Sequence, residues 1–461
     1  MKNKLFISIY CGLMILLASC NNYLDVKPKG KIIPETAEDF STIIHYWLDQ
    51  IEKGRDDVII PNPEVMTTLE MFADDLNATL ASNFGYTSIY VGSAINKNQA
   101  TYKTLYSVIK DCNMVIGNMD DTESDLARTL LGTAWSIRSI CYYNLMQRYC
   151  EPYQPETAKE TLGLPLFDDF DMEAKPARAN LKETAEFIEE GFRKALSYNV
   201  SNEDFIFTSS VTKAYFARFF FWTQNWSNAI TYAKEVLEKY PMLEADEYVE
   251  AINQKQAKAH NVIIRSFTMD DDIGTMSYAT AQADIKSRPV DRNLVDLFAA
   301  TDNDVRRRCN YDSKRIVNKI ITTKFRSEEL CLIIAEAHAH LNQETDALGY
   351  LNQLRSKRIT QNYIAYTIDN LPEVFQQNIK TDATGIPLTK LMSAILCERR
   401  KELFVEGDRW FELKRNGRPE FWVAAKGKKF ITEKYLYTFP IPKADIRLFP
   451  DLLIQNPGYI E

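Results

Sequence analysis

Apolar residues recur at the helical period along most of this 461-residue chain, while runs alternating at a period of two are rare and short. Residues 38–51 set the pattern, with Phe40, Ile43, Ile44, Trp47, Leu48 and Ile51 on one helical face. The same period predicts helices over about 99–118, 125–149, 182–197, 210–224, 226–240, 326–342, 345–358 and 388–406. Gly and Pro, which punctuate β-rich and low-complexity chains, number only 16 and 17. The expected fold is mostly α. Two stretches break the period. Residues 74–98 are polar and aromatic, and 261–293 open on a possible strand at Val262–Phe267 and continue through an acidic loop. Long irregular segments in a compact protein are usually functional or disordered.

An internal repeat sharpens the helical reading. Ala217 and Ala229 are 12 residues apart, and so are Ala335 and Ala347. Around the first pair stand Phe216, Phe220, Ala233, Val236 and Pro241; matching positions around the second hold Ile334, His338, Leu351, Leu354 and Ile359. This is the small/large alternation of a tetratricopeptide repeat, in which small residues let antiparallel helices approach closely. The two copies are far apart, so a scaffold of this kind is interrupted by long insertions. Trp222 and Trp226 fall on these repeat helices and are assigned to them.

The N-terminus predicts the compartment. Lys2 and Lys4 precede an apolar run from Leu5 to Ala18, too short for a membrane span but suited to a signal peptide. Leu17-Ala18-Ser19-Cys20 then has the form of a bacterial lipobox, with Cys20 as the lipid attachment site. Residues 1–19 are expected to be removed, leaving a lipid-anchored body with a formal charge of about −10. The remaining cysteines form no C-x-x-C pair, and no structural disulfide is expected, Cys141 and Cys150 being the only close pair.

Composition and motifs exclude several functions. The net charge of −8 opposes a nucleic-acid surface, which needs a basic footprint. His338 and His340, two apart on a helix, diverge and cannot share a metal. Asp302-x-Asp304 lacks the oxygen and Gly positions of a calcium loop, and Asp270–Asp272 reads as a solvated acidic loop. No G-x-S-x-G, H-E-x-x-H or phosphate-binding G-x-x-x-x-G-K-[ST] occurs. No cofactor or metal is implied, and no pair of carboxylates stands out as catalytic.

Residues 391–413 are the most unusual. Met392, Ile395, Leu396, Leu403 and Phe404 define an apolar stripe that must cross Arg399 or Arg400. A buried arginine needs a carboxylate partner. Glu398, Glu402 and Glu406 are near in sequence, and long-range partners are open; a structural ion-pair network is expected. The run Glu398–Gly417 (ERRKELFVEGDRWFELKRNG) resembles the C-terminal signature of the SusD/RagB family of nutrient-binding outer-membrane lipoproteins. Cys20–Asp25, Tyr102–Ile116, Arg326–Arg358, Phe439–Pro442 and Gln455–Tyr459 resemble other family segments in the same order.

The resemblance implies a tetratricopeptide-like helical scaffold with long irregular insertions forming a ligand-binding half. Residues 20–461 would be a single domain, with helix pairs at about 38–118, 125–240 and 326–415. It also implies a non-enzymatic, cell-surface protein of the outer membrane, which passes oligosaccharides or other nutrients to a TonB-dependent (SusC-like) transporter. A lipid-anchored glycoside hydrolase and a scaffold that binds only protein are the alternatives. The family's ligand residues vary and do not transfer by motif. Sugar sites combine aromatic platforms with polar hydrogen-bonding groups. The two irregular stretches offer Asp75, Asn77, Asn83, Phe84, Tyr86 and Tyr90, and Tyr278, Gln282 and Arg288. These are the expected glycan-binding residues, with Tyr86, Tyr90 and Tyr278 lining one shallow, open groove. Trp410 stays with the structural signature.

Overall fold

A computed structural model describes residues 34–55, 58–82, 100–171, 173–254, 259–266, 273–298, 303–321, 323–425 and 428–459. It is mostly helical. The described part begins with α1 (Ala37–Glu52), α2 (Pro63–Phe72), α3 (Ala100–Asn118), α4 (Asp125–Tyr149), α5 (Leu181–Ser197), α6 (Ser209–Trp222) and α7 (Trp226–Lys239). It continues with α8 (Ala245–Ile252), α9 (Ile273–Lys286), α10 (Arg292–Asp296), α11 (Val305–Asn310), α12 (Ser327–His340) and α13 (Glu344–Ser356). The last three are α14 (Lys390–Glu402), α15 (Arg409–Arg415) and α16 (Lys443–Leu448). Polar residues start these helices where the sequence offers them. Thr36 and Asp39 form a capping box on α1, Asn180 and Glu183 another on α5, and Asn62 caps α2 with Pro63 in its first turn.

Neighbouring helices pack in succession: α3 on α4, α4 on α5, α6 on α7 and α12 on α13. The hairpins α6–α7 and α12–α13 stack through α7 and α12, although about 90 residues separate them in sequence. All four repeat alanines (Ala217, Ala229, Ala335, Ala347) are fully buried. Trp226 lies flat on His340 at 4.1 Å between ring centres, tying the two hairpins together. Gly191 of α5 faces α4 so closely that a Cβ there would meet Ser139 Oγ at 2.3 Å, so a larger side chain would displace that hydroxyl from its bond to Trp135 O.

The chain between the two hairpins builds a second core from Ala281, Ile285, Val290, Leu294, Phe298, Val317 and Ile321, against which Leu76 and Phe404 pack from elsewhere in the sequence. An antiparallel pair, β1 (Val262–Arg265) with β2 (Lys324–Arg326), closes the ends of this insertion, in the register Val262↔Arg326 and Arg265↔Lys324. The expectation that 261–293 is irregular is corrected here, because α9 and α10 occupy much of it. Tyr278, Ala281 and Ile285 are buried along one face of α9 at helical spacing, a stripe that the acidic, Gly-containing lead-in hides. The acidic loop at 270–272 lies outside the described residues. Among the described residues no cysteine is in a disulfide, and Cys141 and Cys150 are both buried.

Helix α14 carries charge into the interior and joins the two cores. Glu402 is fully buried and accepts hydrogen bonds from three arginines: Arg326 at 2.5 Å, Arg358 at 3.0 Å and Arg306 at 3.3 Å. Glu398 takes Arg306 at 2.6 Å and Lys401 at 2.7 Å; Glu406 takes Lys319 at 2.6 Å and Arg326 at 3.0 Å. Arg399 and Arg400 are both buried and paired, but not with these glutamates. Arg399 grips Asp408 through two bonds, and Arg400 Nε reaches Asp75 at 2.6 Å, 325 residues away in sequence. Beyond α14 the chain turns through Val405, at φ 59°, a strained conformation for a β-branched residue. Gly407 follows at φ 77° and donates its N–H to Glu70 at 2.6 Å.

This network sets an acid limit on stability. Burial pushes the Glu398 carboxyl up, but Lys401, Arg306 and Arg355 outweigh it and hold the group down to about 2. Glu336 is also raised by burial and more strongly lowered by Arg415 and His340, to about 2. A carboxylate lowered in the folded state contributes stability that is complete above its unfolded value of 4.5 and lost as pH falls through the folded value. The urea midpoint is therefore expected to drop steeply as pH falls from about 4.5 toward about 2. A midpoint constant across that interval would contradict the assignment.

Candidate functional site

The two stretches expected to carry the ligand site meet through their backbones. Leu76 bridges Val290, Asn77 N–H donates to Pro289 O at 2.8 Å, and Ser82 N–H donates to Ser287 O at 2.8 Å. Asn83, Phe84, Tyr86 and Tyr90 follow Ser82 directly and lie outside the described residues.

The described candidates brace this junction and do not line a groove. Asp75 is fully buried beneath Arg400 and Arg409. Burial pushes its carboxyl above the ordinary range, and the two arginines only partly offset that. Asn77 accepts from Leu80 N–H at 3.1 Å and donates to Asp291 at 3.0 Å, so its side chain is a turn cap. Tyr278 is buried and its hydroxyl donates to Gln282 at 3.1 Å. Gln282 in turn donates to Lys319 O at 3.3 Å and accepts from Ile321 N–H at 3.1 Å. Arg288 is fully buried and donates to Met71 O at 3.1 Å. The choice of Asp75, Tyr278, Gln282 and Arg288 as ligand contacts is thus corrected. Asp75, Gln282 and Arg288 have interior partners that only tertiary structure supplies, and Tyr278 bonds to Gln282 one helical turn on.

An exposed aromatic stands beside the same junction. The strands β3 (Phe421–Ala425) and β4 (Lys428–Thr432) form an antiparallel hairpin, in which Trp422 pairs with Ile431 and Val423 with Phe430. Period-two alternation turns Val423 toward Met71 and Ala78 and leaves Trp422 outward, 59% exposed. Ala424 N–H donates to Thr79 Oγ1 at 3.4 Å, which seats the hairpin on the segment that ends at Ser82. Lys429 Nζ lies 5.0 Å from the centre of the Trp422 ring. Sequence reasoning missed Trp422, although the short apolar run Phe421–Ala425 bounded by Lys-Gly-Lys is a strand signal.

An open groove of about 650 Å³ adjoins the other side of Val290. Its walls come from Arg292 on α10, from Arg307 and Arg308 on α11, and from Tyr311 with Lys314 and Arg315 in the turn that follows. Val290 and Arg315 exchange a backbone bond of 2.8 Å and a side-chain bond of 3.0 Å. An exposed indole can stack on the C–H face of a sugar ring, and a groove of donors can hold hydroxyl or acidic groups. Among the described residues no group of three or more His, Cys, Asp or Glu is placed to hold a metal ion.

Comparison with known proteins places the fold. The family model described as "SusD family" matches residues 309–459, and the one described as "Starch-binding associating with outer membrane" matches residues 22–221. No curated protein matches the chain. The structure resembles a crystal structure of a SusD superfamily protein from Bacteroides thetaiotaomicron. The TM-score is 0.69 at 18% identity, covering 92% of this chain and 100% of that one. It also resembles a SusD-like carbohydrate-binding protein from Bacteroides vulgatus (TM-score 0.67, 19% identity, 91% and 98% covered). A laminarin-binding SusD-like protein matches with a TM-score of 0.60 at 15% identity, with 92% and 99% covered.

The burial of Arg400 yields a direct test. Arg400→Ala would leave Asp74 and Asp75 side by side in the interior with Arg409 alone between them. The variant is expected to lose roughly 3–5 kcal/mol in chemical denaturation, while the folded fraction still binds ligand as the parent does. Unchanged stability with lost ligand binding would assign Arg400 and Asp75 to the site after all.

Proposed function

The chain belongs to the SusD family, and on that premise we propose that it is a surface lipoprotein that captures oligosaccharides at the outer membrane and hands them to a TonB-dependent barrel transporter. The observation that carries this reading is the match of both ends of the chain to family models, one described as starch-binding and outer-membrane-associated. The carbohydrate-binding and laminarin-binding structural relatives support the ligand class. The lipid is attached at Cys20, and residues 20–461 act as one domain. Trp422 serves as a stacking platform, joined by Asn83, Phe84, Tyr86 and Tyr90 from the segment that leaves Ser82. An open surface of this kind suits capture and release without catalysis, and affinities from micromolar to millimolar correspond to about −8 to −4 kcal/mol.

The test is titration of the full-length, detergent-solubilised chain against a panel of oligosaccharides, with product analysis. Binding without turnover is expected, and Trp422→Ala, Tyr86→Ala or Tyr90→Ala should each weaken it about tenfold, the scale of one lost stacking contact, with an unchanged melting temperature. Steady release of shortened sugars, or no binding to any glycan, would defeat the reading. The handover role further expects a barrel protein to co-purify from outer membranes, and Cys20→Ser to abolish recovery of the chain there. A Cys20→Ser chain that still fractionates with the outer membrane would remove the anchor from the account.

A further inference from the structure

Acidic residues outnumber basic ones in this chain, 63 to 55, yet the open groove beside Val290 is lined by five basic side chains. Arg292, Arg307, Arg308 and Lys314 are exposed, and Arg315 is half-buried. The two carboxylates that line the groove, Asp304 and Asp312, are engaged by other groups. Asp304 is buried and gives both oxygens to Arg306, at 2.9 Å and 2.6 Å. Asp312 caps the turn, accepting from Lys314 N–H at 2.9 Å and Ile316 N–H at 2.8 Å. Among the described residues, no carboxylate lies within 4.0 Å of the cationic nitrogens of Arg292, Arg308, Lys314 or Arg315.

The like charges of Arg292, Arg308, Lys314 and Arg315 around one concavity repel each other and favour an anionic occupant. The geometry points to this groove as a subsite for oligosaccharides that carry uronate carboxylates or sulfate esters, a specificity that rests on the glycan-binding reading above. Two features favour a charged sugar chain over a lone phosphate. The basic groups come from three separate segments, so they are spread around a volume of about 650 Å³ and do not converge on one point. Arginine is also the side chain best shaped to take a carboxylate or sulfate through two parallel bonds. Arg315, tied to Val290 O at 3.0 Å, is already oriented by the fold; the exposed Arg308 and Lys314 supply adaptable charge.

The test compares two acidic probes, oligogalacturonate and chondroitin sulfate oligosaccharides, with neutral laminarin oligosaccharides. Each is titrated into the full-length chain and into an Arg308→Glu/Lys314→Glu variant. Both substituted side chains are exposed, and a circular dichroism melt verifies folding. At least one acidic probe is expected to bind, to lose at least about tenfold in affinity in the variant, and to weaken as salt screens the groove. Laminarin binding should be the same in both proteins. Binding of laminarin with no binding of either acidic probe would overturn this inference and leave the glycan-binding reading intact. Acidic probes bound equally by parent and variant would place their site elsewhere and also overturn it. Failure of all three probes, extended to the whole panel, would remove both.

Discussion

The contact on which this architecture depends is the buried carboxylate of Glu402 with its three arginines. A lone carboxylate in such an interior would carry several kcal/mol of uncompensated desolvation. Its compensation comes from Arg306 on α11, Arg326 on β2 and Arg358 just past α13, so three segments must dock before the charge is satisfied. Arg326 and Arg358 are shared with Glu406 and Glu328, and Arg306 with Glu398 and Asp304. An arrangement that misplaces one segment therefore strands several charges at once. The helical hairpins and the inserted core are held in one relation by this cost as much as by apolar contact.

The same helix turn fixes the surface where ligands are expected. Arg400 and Arg409 hold Asp75 and Asp74, immediately before the segment that runs from Leu76 to Ser82. That segment in turn carries the Val290 junction, the seat of the Trp422 hairpin and the entry to residues 83–99. Buried ion pairs thus lie directly beneath the junction and the exposed Trp422 hairpin.

Much of the fold was legible in sequence because its signals are local. The stripe Phe40–Ile51 and the spacing of Ala217 with Ala229 and Ala335 with Ala347 need only a helix and a close neighbour to be interpreted, and the structure gives both. The Arg399/Arg400 crossing of an apolar stripe also announced buried pairs, but not their partners, since Asp75 lies 325 residues away. That separation is why Asp75 read as a loop carboxylate. Tyr278 misled for the opposite reason: three aspartates and then Ile-Gly come just before it in sequence, so an interior position looked like a loop aromatic. Trp422 escaped notice because a five-residue strand is too short for periodicity to stand out, and its exposure depends on which face of the hairpin the body covers.

The claim that one charge cluster couples the two cores can be measured by native-state hydrogen exchange on Glu402→Gln. The substitution preserves shape but leaves three arginines facing a neutral amide. The account predicts that protection falls together in α9 of the inserted core and in α12 of the helical hairpins, by an amount that matches the loss of global stability. Protection lost in one of these helices alone, or retained in both, would contradict it.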